Sequence, residues 1–169
     1  MTSKDLLERV LLSYHSYYDI NREDPAPPFD AEAVFRVNEE QYFLFKSAVY
    51  NKWSTSETVF FATCADLDEE KLREFDREAW ETGVSRVVPG PDLKNADITL
   101  IVIADRIAEN AMPVFRELRH SKGYMYGLRG YSNYKLFGIE ASTGKLFFNR
   151  RGKDLQRIFK PLQESLNNS

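Results

Sequence analysis

The sequence predicts an α+β domain built on a mixed β-sheet, and three observations carry that prediction. Aromatic and β-branched runs at about 31–37, 42–50 and 57–64 are separated by short polar breaks. Breaks that short favour an antiparallel three-stranded meander, because parallel neighbours need a crossover of about a dozen residues or more. The run Ile98-Thr99-Leu100-Ile101-Val102-Ile103-Ala104 has no polar alternation, the pattern of a strand covered on both faces and therefore central. Between and around these runs lie stretches whose apolar residues recur at three- and four-residue spacing, as helices packed on a sheet require. The predicted element order is αβββαβαββα.

Leu6, Leu7, Val10, Leu11, Tyr14, Tyr17 and Tyr18 give the first helix, at about 3–19, and Thr2 with Asp5 has capping-box spacing. Asp24-Pro25-Ala26-Pro27-Pro28 ends any helix, since proline lacks the amide donor and biases its predecessor toward extended backbone. In the first strand Ala31, Ala33, Phe35 and Val37 share a face; Tyr42-Phe43-Leu44-Phe45 gives the second a two-sided apolar character. Asp66 and Glu69 stand at capping-box spacing before Leu72, Phe75, Ala79 and Trp80, a second helix expected to end near Gly83. A loop at 88–92 leads to the central strand. Ile107, Ala108, Ala111, Val114, Phe115 and Leu118 mark a third helix with Asn110 as its cap and Pro113 in its first turn or at a kink. Strands at about 133–140 and 145–149 are joined by Ala141-Ser142-Thr143-Gly144, a hairpin loop. Leu155, Ile158, Phe159 and Leu162 close the chain as a helix shortened or bent by Pro161. One domain spans 1–169, with 163–169 as a frayed tail.

Charge is sorted along this order. Met1 to Phe115 holds 12 Lys/Arg against 22 Asp/Glu, whereas Arg116 to Lys160 holds 11 against 3. Such asymmetry implies an anionic partner for the basic part, a nucleic acid or an acidic protein surface, or pairing between copies of the chain. The longest apolar run is far short of the roughly 18 residues of a membrane helix, and no signal-type block opens the chain. No membrane partner is expected. A single cysteine, Cys64, excludes an internal disulfide and fits a reducing, cytoplasmic compartment.

Most motif candidates have structural explanations. His15 and His120 are the only histidines and belong to no short-spaced ligand motif. Asp66-Leu67-Asp68-Glu69-Glu70 falls where a helix starts, so its carboxylates answer the helix dipole. Gly123, Gly127 and Gly130 follow G-x-x-x-G-x-x-G, neither a dinucleotide fingerprint nor a Walker loop. Cys64 and the scattered serines form no nucleophile constellation. Neither a cofactor nor a metal is expected, and the reading leans away from catalysis. The segment from Arg119 to Lys135 stands out. Arg119, Lys122, Tyr124, Tyr126, Arg129, Tyr131, Tyr134 and Lys135, with Arg150 and Arg151 after the hairpin, interleave cations with aromatics. Cations neutralise phosphates and tyrosines stack on bases or sugars, so these ten are the candidate binding residues.

The αβββαβ order of residues 3–104 is similar to the core of the PD-(D/E)XK nuclease-like superfamily. Active members hold a divalent metal with an aspartate and a Glu-x-Lys pair on the second and third strands. Here the second run offers only Lys46, and Glu57-Thr58-Val59 lacks the lysine. A migrated site would draw on Glu8, Glu32, Glu40, Lys46 and Glu57. Lys122-Gly123-Tyr124 through Gly130-Tyr131, followed by Asn149-Arg150-Arg151-Gly152-Lys153, resembles a family of uncharacterised prokaryotic domains, a likeness that implies no mechanism. The sequence reading is a non-catalytic binding or interaction domain with a basic aromatic surface; the alternative is a metal-dependent nuclease-like protein or its degenerate relative.

Overall fold

A computed structural model describes residues 1–35, 55–91 and 93–168. Helix α1 (Ser3–Tyr14) is followed by strands β1 (Tyr18–Asn21), β2 (Ala31–Phe35) and β3 (Thr55–Leu67), then helix α2 (Glu69–Ser85) and strand β4 (Asn95–Ile107). A four-residue helix α3 (Val114–Glu117), strands β5 (Ser121–Gly123), β6 (Tyr131–Glu140) and β7 (Leu146–Phe148), a 3₁₀ turn (Arg151–Leu155) and helix α4 (Gln156–Asn167) complete the chain. The sheet is mixed, in the order β1-β2-β3-β4-β6-β5 with β7 also on β6. β1, β2 and β3 run antiparallel to one another in turn, while β3, β4 and β6 are parallel.

The α+β class and the central strand are as the sequence predicts: β4 lies between β3 and β6, and Ile101 and Ile103 are fully buried. Its even-numbered residues Ile98, Leu100 and Val102 meet α2 through Leu72, Phe75 and Ala79. Ile101 and Ile103 meet α1 and α4 through Leu6, Val10 and Phe159 on the other face. The absence of polar alternation is thus the direct result of helices covering both faces. Among the described residues no helix is long and apolar enough to cross a membrane.

Several elements differ from the sequence reading. The strand expected at 42–50 lies outside the described residues, and β2 pairs directly with β3, Ala31 opposite Phe61. Among the described residues the antiparallel trio is β1, β2 and β3. Residues 17–18 continue the spacing of α1, but the helix stops at Tyr14 and Tyr18 opens β1 opposite Phe35. The tyrosines still meet, with Tyr14 and Tyr18 ring centres 4.9 Å apart, so spatial proximity imitated helical periodicity. The α2 cap is Asp68, which accepts from the Lys71 amide, while Asp66 stays in β3 beside Arg106.

The third predicted helix shrinks to α3. Ile107 ends β4, turns occupy 109–113, and Asn110 accepts from the Glu69 amide at the start of α2 rather than capping its own helix. Ala111, Val114 and Phe115 are nevertheless buried in one cluster, which explains their helix-like spacing. The hairpin after β6 is as expected, closing through Gly144 at φ +74°. α4 continues through Pro161 to Asn167, beyond the tail boundary expected at 163, because Leu162 and Leu166 pack on the core and Gln163 donates to the Gly144 carbonyl.

Candidate functional site

The site arises from a gap in the sheet edge. β4 occupies one side of β6; on the other, β5 pairs with residues 131–133 and β7 with 137–139. The intervening backbone of β6 is completed by Asn149, buried at 2% exposure. Its Oδ1 accepts from the amides of Leu136 and Gly152, and its Nδ2 donates to the carbonyls of Leu118 and Tyr134. All four hydrogen-bonding positions of the amide are used, as burial requires. The next turn can close only on glycine, since a Cβ at Gly152 would stand 2.2 Å from the Leu136 carbonyl oxygen. One buried amide thus brings the chain after α3 and the chain after β7 together.

Between them lies a cavity of about 570 Å³ lined by Arg119, His120, Ser121, Tyr134, Asn149, Arg150, Arg151 and Asp154. Its back wall is aromatic. Trp80 stacks on His120 with ring centres 5.1 Å apart, and Tyr134 meets the His120 ring edge-on at 4.9 Å. His120 Nε2 lies 3.0 and 2.9 Å from the two carboxylate oxygens of buried Asp76, which fixes the ring orientation and leaves Nδ1 as the nitrogen outside that pair. The Tyr134 hydroxyl is buried close to Asp76 and makes no hydrogen bond of good geometry among the described residues. Burial first and the nearby Asp76 charge second push its pKa well up, so it stays a neutral phenol.

Four arginines of the acidic part pair with carboxylates: Arg22 with Glu8, Arg73 with Glu69, Arg86 with Glu32 and Arg106 with Asp66. Among the described residues no ion pair within 4 Å links Arg119, Arg150 or Arg151 to a carboxylate, although the Arg151 charge acts on Asp97. Asp154 is the one carboxylate among the described residues that line the cavity. Three arginines lining one concavity favour an oxyanion such as phosphate, which a guanidinium can bind bidentately.

Of the ten candidate residues, the fold brings Arg119, Tyr134, Arg150 and Arg151 together here. Lys122, Tyr124, Tyr126, Arg129 and Tyr131 lie on β5, on the loop to β6 and at the start of β6. Tyr124 is buried, with its hydroxyl 2.7 Å from Ser132 Oγ, so it offers no open stacking face. Lys135 shares a sheet face with Phe137, opposite to Tyr134, and lies 3.8 Å from Asp97. Burial holds the Asp97 carboxyl above its usual pKa, Lys135 opposing that shift and Glu57, its register partner on β3, adding to it. Sequence reasoning missed Asp76, Trp80 and Asn149. A signal for Asp76 existed: it occupies the buried stripe of α2 with Leu72, Phe75 and Ala79, where an unpartnered carboxylate is too costly to retain.

The acidic residues considered for a nuclease-like centre are dispersed. Glu8 pairs with Arg22; Glu32 pairs with Arg86 on the α2 face of the sheet; Glu57 accepts from Tyr18 and Thr99 on the α1 face. Glu40 and Lys46 lie outside the described residues. Burial pushes the Cys64 thiol up to about 11, so little thiolate exists near neutral pH.

A family model described as domain of unknown function DUF8052 matches residues 2–161, and the chain belongs to that family. No curated protein and no solved structure matches it.

Proposed function

We propose that this family member is a binding domain whose cavity at the β5–β7 gap takes a phosphate-bearing anion. The observation that carries the reading is the charge contrast: Arg22, Arg73, Arg86 and Arg106 of the acidic half are each paired with a carboxylate, whereas Arg119, Arg150 and Arg151 line one cavity and form no ion pair among the described residues. A volume of about 570 Å³ exceeds what a single phosphate needs and leaves room for the group that carries it. His120, held by Asp76 and backed by Trp80, supplies an oriented ring nitrogen at the wall. Asp154 disfavours fully ionised, unhydrated occupants on its own side and gives the cavity an orientation.

Anisotropy titrations with a fluorescein-labelled single-stranded oligonucleotide and with a labelled mononucleotide, each at several salt concentrations, test the reading. Log affinity should fall linearly with log salt, at roughly 0.7–0.9 per phosphate neutralised. Arg150→Ala should weaken binding about tenfold and flatten the slope by about one contact. Equal response of both probes marks a single-phosphate site; preference for the oligonucleotide marks a polymer tracking out of it. Wild-type protein that binds neither probe at low salt returns the arginines to the role of a solvated edge.

A further inference from the structure

The loop between β5 and β6 forms a tip that the cavity does not use. Met125, Tyr126 and Leu128 are 62%, 102% and 80% exposed, and Tyr131 at the base is half exposed. Soluble surfaces seldom gather large apolar side chains in this way without an interaction to serve. The backbone holds them outward at some conformational cost: Met125 and Tyr126 both have positive φ, at 50° and 55°, ahead of Gly127 at 85°. Side-chain-bearing residues disfavour that region, and consecutive occurrences persist only where surrounding contacts impose them.

Those contacts are present. The Arg129 amide donates to the Tyr124 carbonyl at 3.1 Å, Leu128 to Met125 at 3.0 Å, and Tyr124 to Gly130 at 2.9 Å. The Tyr131 ring crosses the loop so closely that a Cβ on Gly127 would stand 1.9 Å from its hydroxyl oxygen. Within this segment the charges are of one sign: Lys122 and Arg129 flank the tip, and no Asp or Glu occurs between Leu118 and Ile139. Val88, 84% exposed, lies in the loop before β4 at the same end of the sheet, where Leu93 packs under Gly130.

We propose that this tip docks the protein on an anionic lipid bilayer. Met125 and Leu128 would enter the acyl boundary, Tyr126 and Tyr131 would sit at headgroup level, and Lys122 and Arg129 would meet the lipid phosphates. A bilayer suits these residues better than a protein groove does, because Met125, Tyr126 and Leu128 are largely exposed on a turn flanked by the cations Lys122 and Arg129. Peripheral docking needs no membrane-crossing helix, so it departs from the expectation, drawn from the absence of apolar spans, that no membrane is a partner. It is independent of the anion cavity, which uses other residues.

Co-sedimentation with large vesicles of phosphatidylcholine, with and without phosphatidylserine, tests the proposal. Wild-type protein should sediment with the serine-containing vesicles and lose most of that binding at high salt. Tyr126→Ser with Leu128→Ser should weaken it at least about tenfold, while Arg150→Ala should change it less than about twofold. Tyr126→Trp gives a second readout that needs no loss of function: the emission of the introduced indole should shift to the blue with anionic vesicles, against the background of Trp53 and Trp80. Absence of vesicle binding, equal binding to phosphatidylcholine alone, an unshifted emission from the Tyr126→Trp variant, or binding lost with Arg150→Ala but kept by the double variant would each overturn it. So would tip variants that abolish self-association or oligonucleotide binding while leaving vesicle binding intact.

Discussion

Single residues fix this fold where their side chains replace missing backbone partners or fill the two cores. Ile101 is fully buried against α1 and α4 on the central strand, so Ile101→Ala should cost about 2–5 kcal/mol through lost transfer energy and the cavity left behind. Chemical denaturation measures it, and a loss under about 1 kcal/mol would mean this strand is not the packed centre. Asn149 is the more specific case. Asn149→Ala removes four hydrogen bonds and strands two amides and two carbonyls in a buried place, an expected loss of at least about 3 kcal/mol. A loss near that of an ordinary surface substitution would show that the gap in the sheet closes without it. Ile101 was legible in the sequence because an unbroken apolar run has one physical meaning. Asn149 was not, because three of its four partners lie 13, 15 and 31 residues away, and its local bond to the Gly152 amide does not reveal them.

Elements were legible in proportion to how local their determinants are. The hairpin at Gly144, the amphipathic α1 and α2 and the strand β4 follow from turn chemistry and periodicity, which act within a few residues. The end of α1, the loss of a third long helix and the short β5 depend on pairing partners distant in the chain. Tyr17 and Ile107 fit a helical stripe equally well and lie outside the helices. One tie between elements carries a pH prediction. Arg86, at the end of α2, forks onto Glu32 of β2, whose second contact is the Ala26 amide. Burial works to raise the Glu32 pKa, but the Arg86 and Ala26 bonds outweigh it and hold the carboxyl below its usual range. A lowered folded pKa gives stability that is complete above the unfolded value of about 4.5 and is lost as pH falls through the folded one. Glu32→Gln should therefore cost about 1–3 kcal/mol at pH 7, with the gap to wild type closing below about pH 4.5. Thermal melts across that range check it, and a gap that persists well below that pH would assign the loss to packing. Gly152→Ala forces a methyl against the Leu136 carbonyl oxygen, so it should cost about 1–3 kcal/mol and displace Arg150 and Arg151 from the cavity.

At the scale of the whole molecule, the sorting of charge along the sequence is realised in space. The basic part supplies β5, β6 and β7 at one edge of the sheet and the turn beyond them, and Arg119, Arg150 and Arg151 of that part line a cavity, while Arg22, Arg73, Arg86 and Arg106 of the acidic part pair with its own carboxylates. Charge counting found the basic third but could not separate its members: Lys135 is engaged by Asp97 on the other sheet face, and Tyr124 and Tyr134 are buried. The central claim is that the cavity walled by His120 and three arginines binds a phosphate-bearing anion. The chain has two histidines, and His15 lies outside this cavity, so the imidazole resonances provide probe and control in one spectrum. Pyrophosphate titrated into isotope-labelled protein, followed through the two histidine ring signals, tests the claim most directly. The account predicts a saturable shift of His120 with His15 unmoved, and a midpoint about tenfold higher in Arg150→Ala. A His120 signal that stays fixed, or that moves together with His15 without saturating, would contradict it.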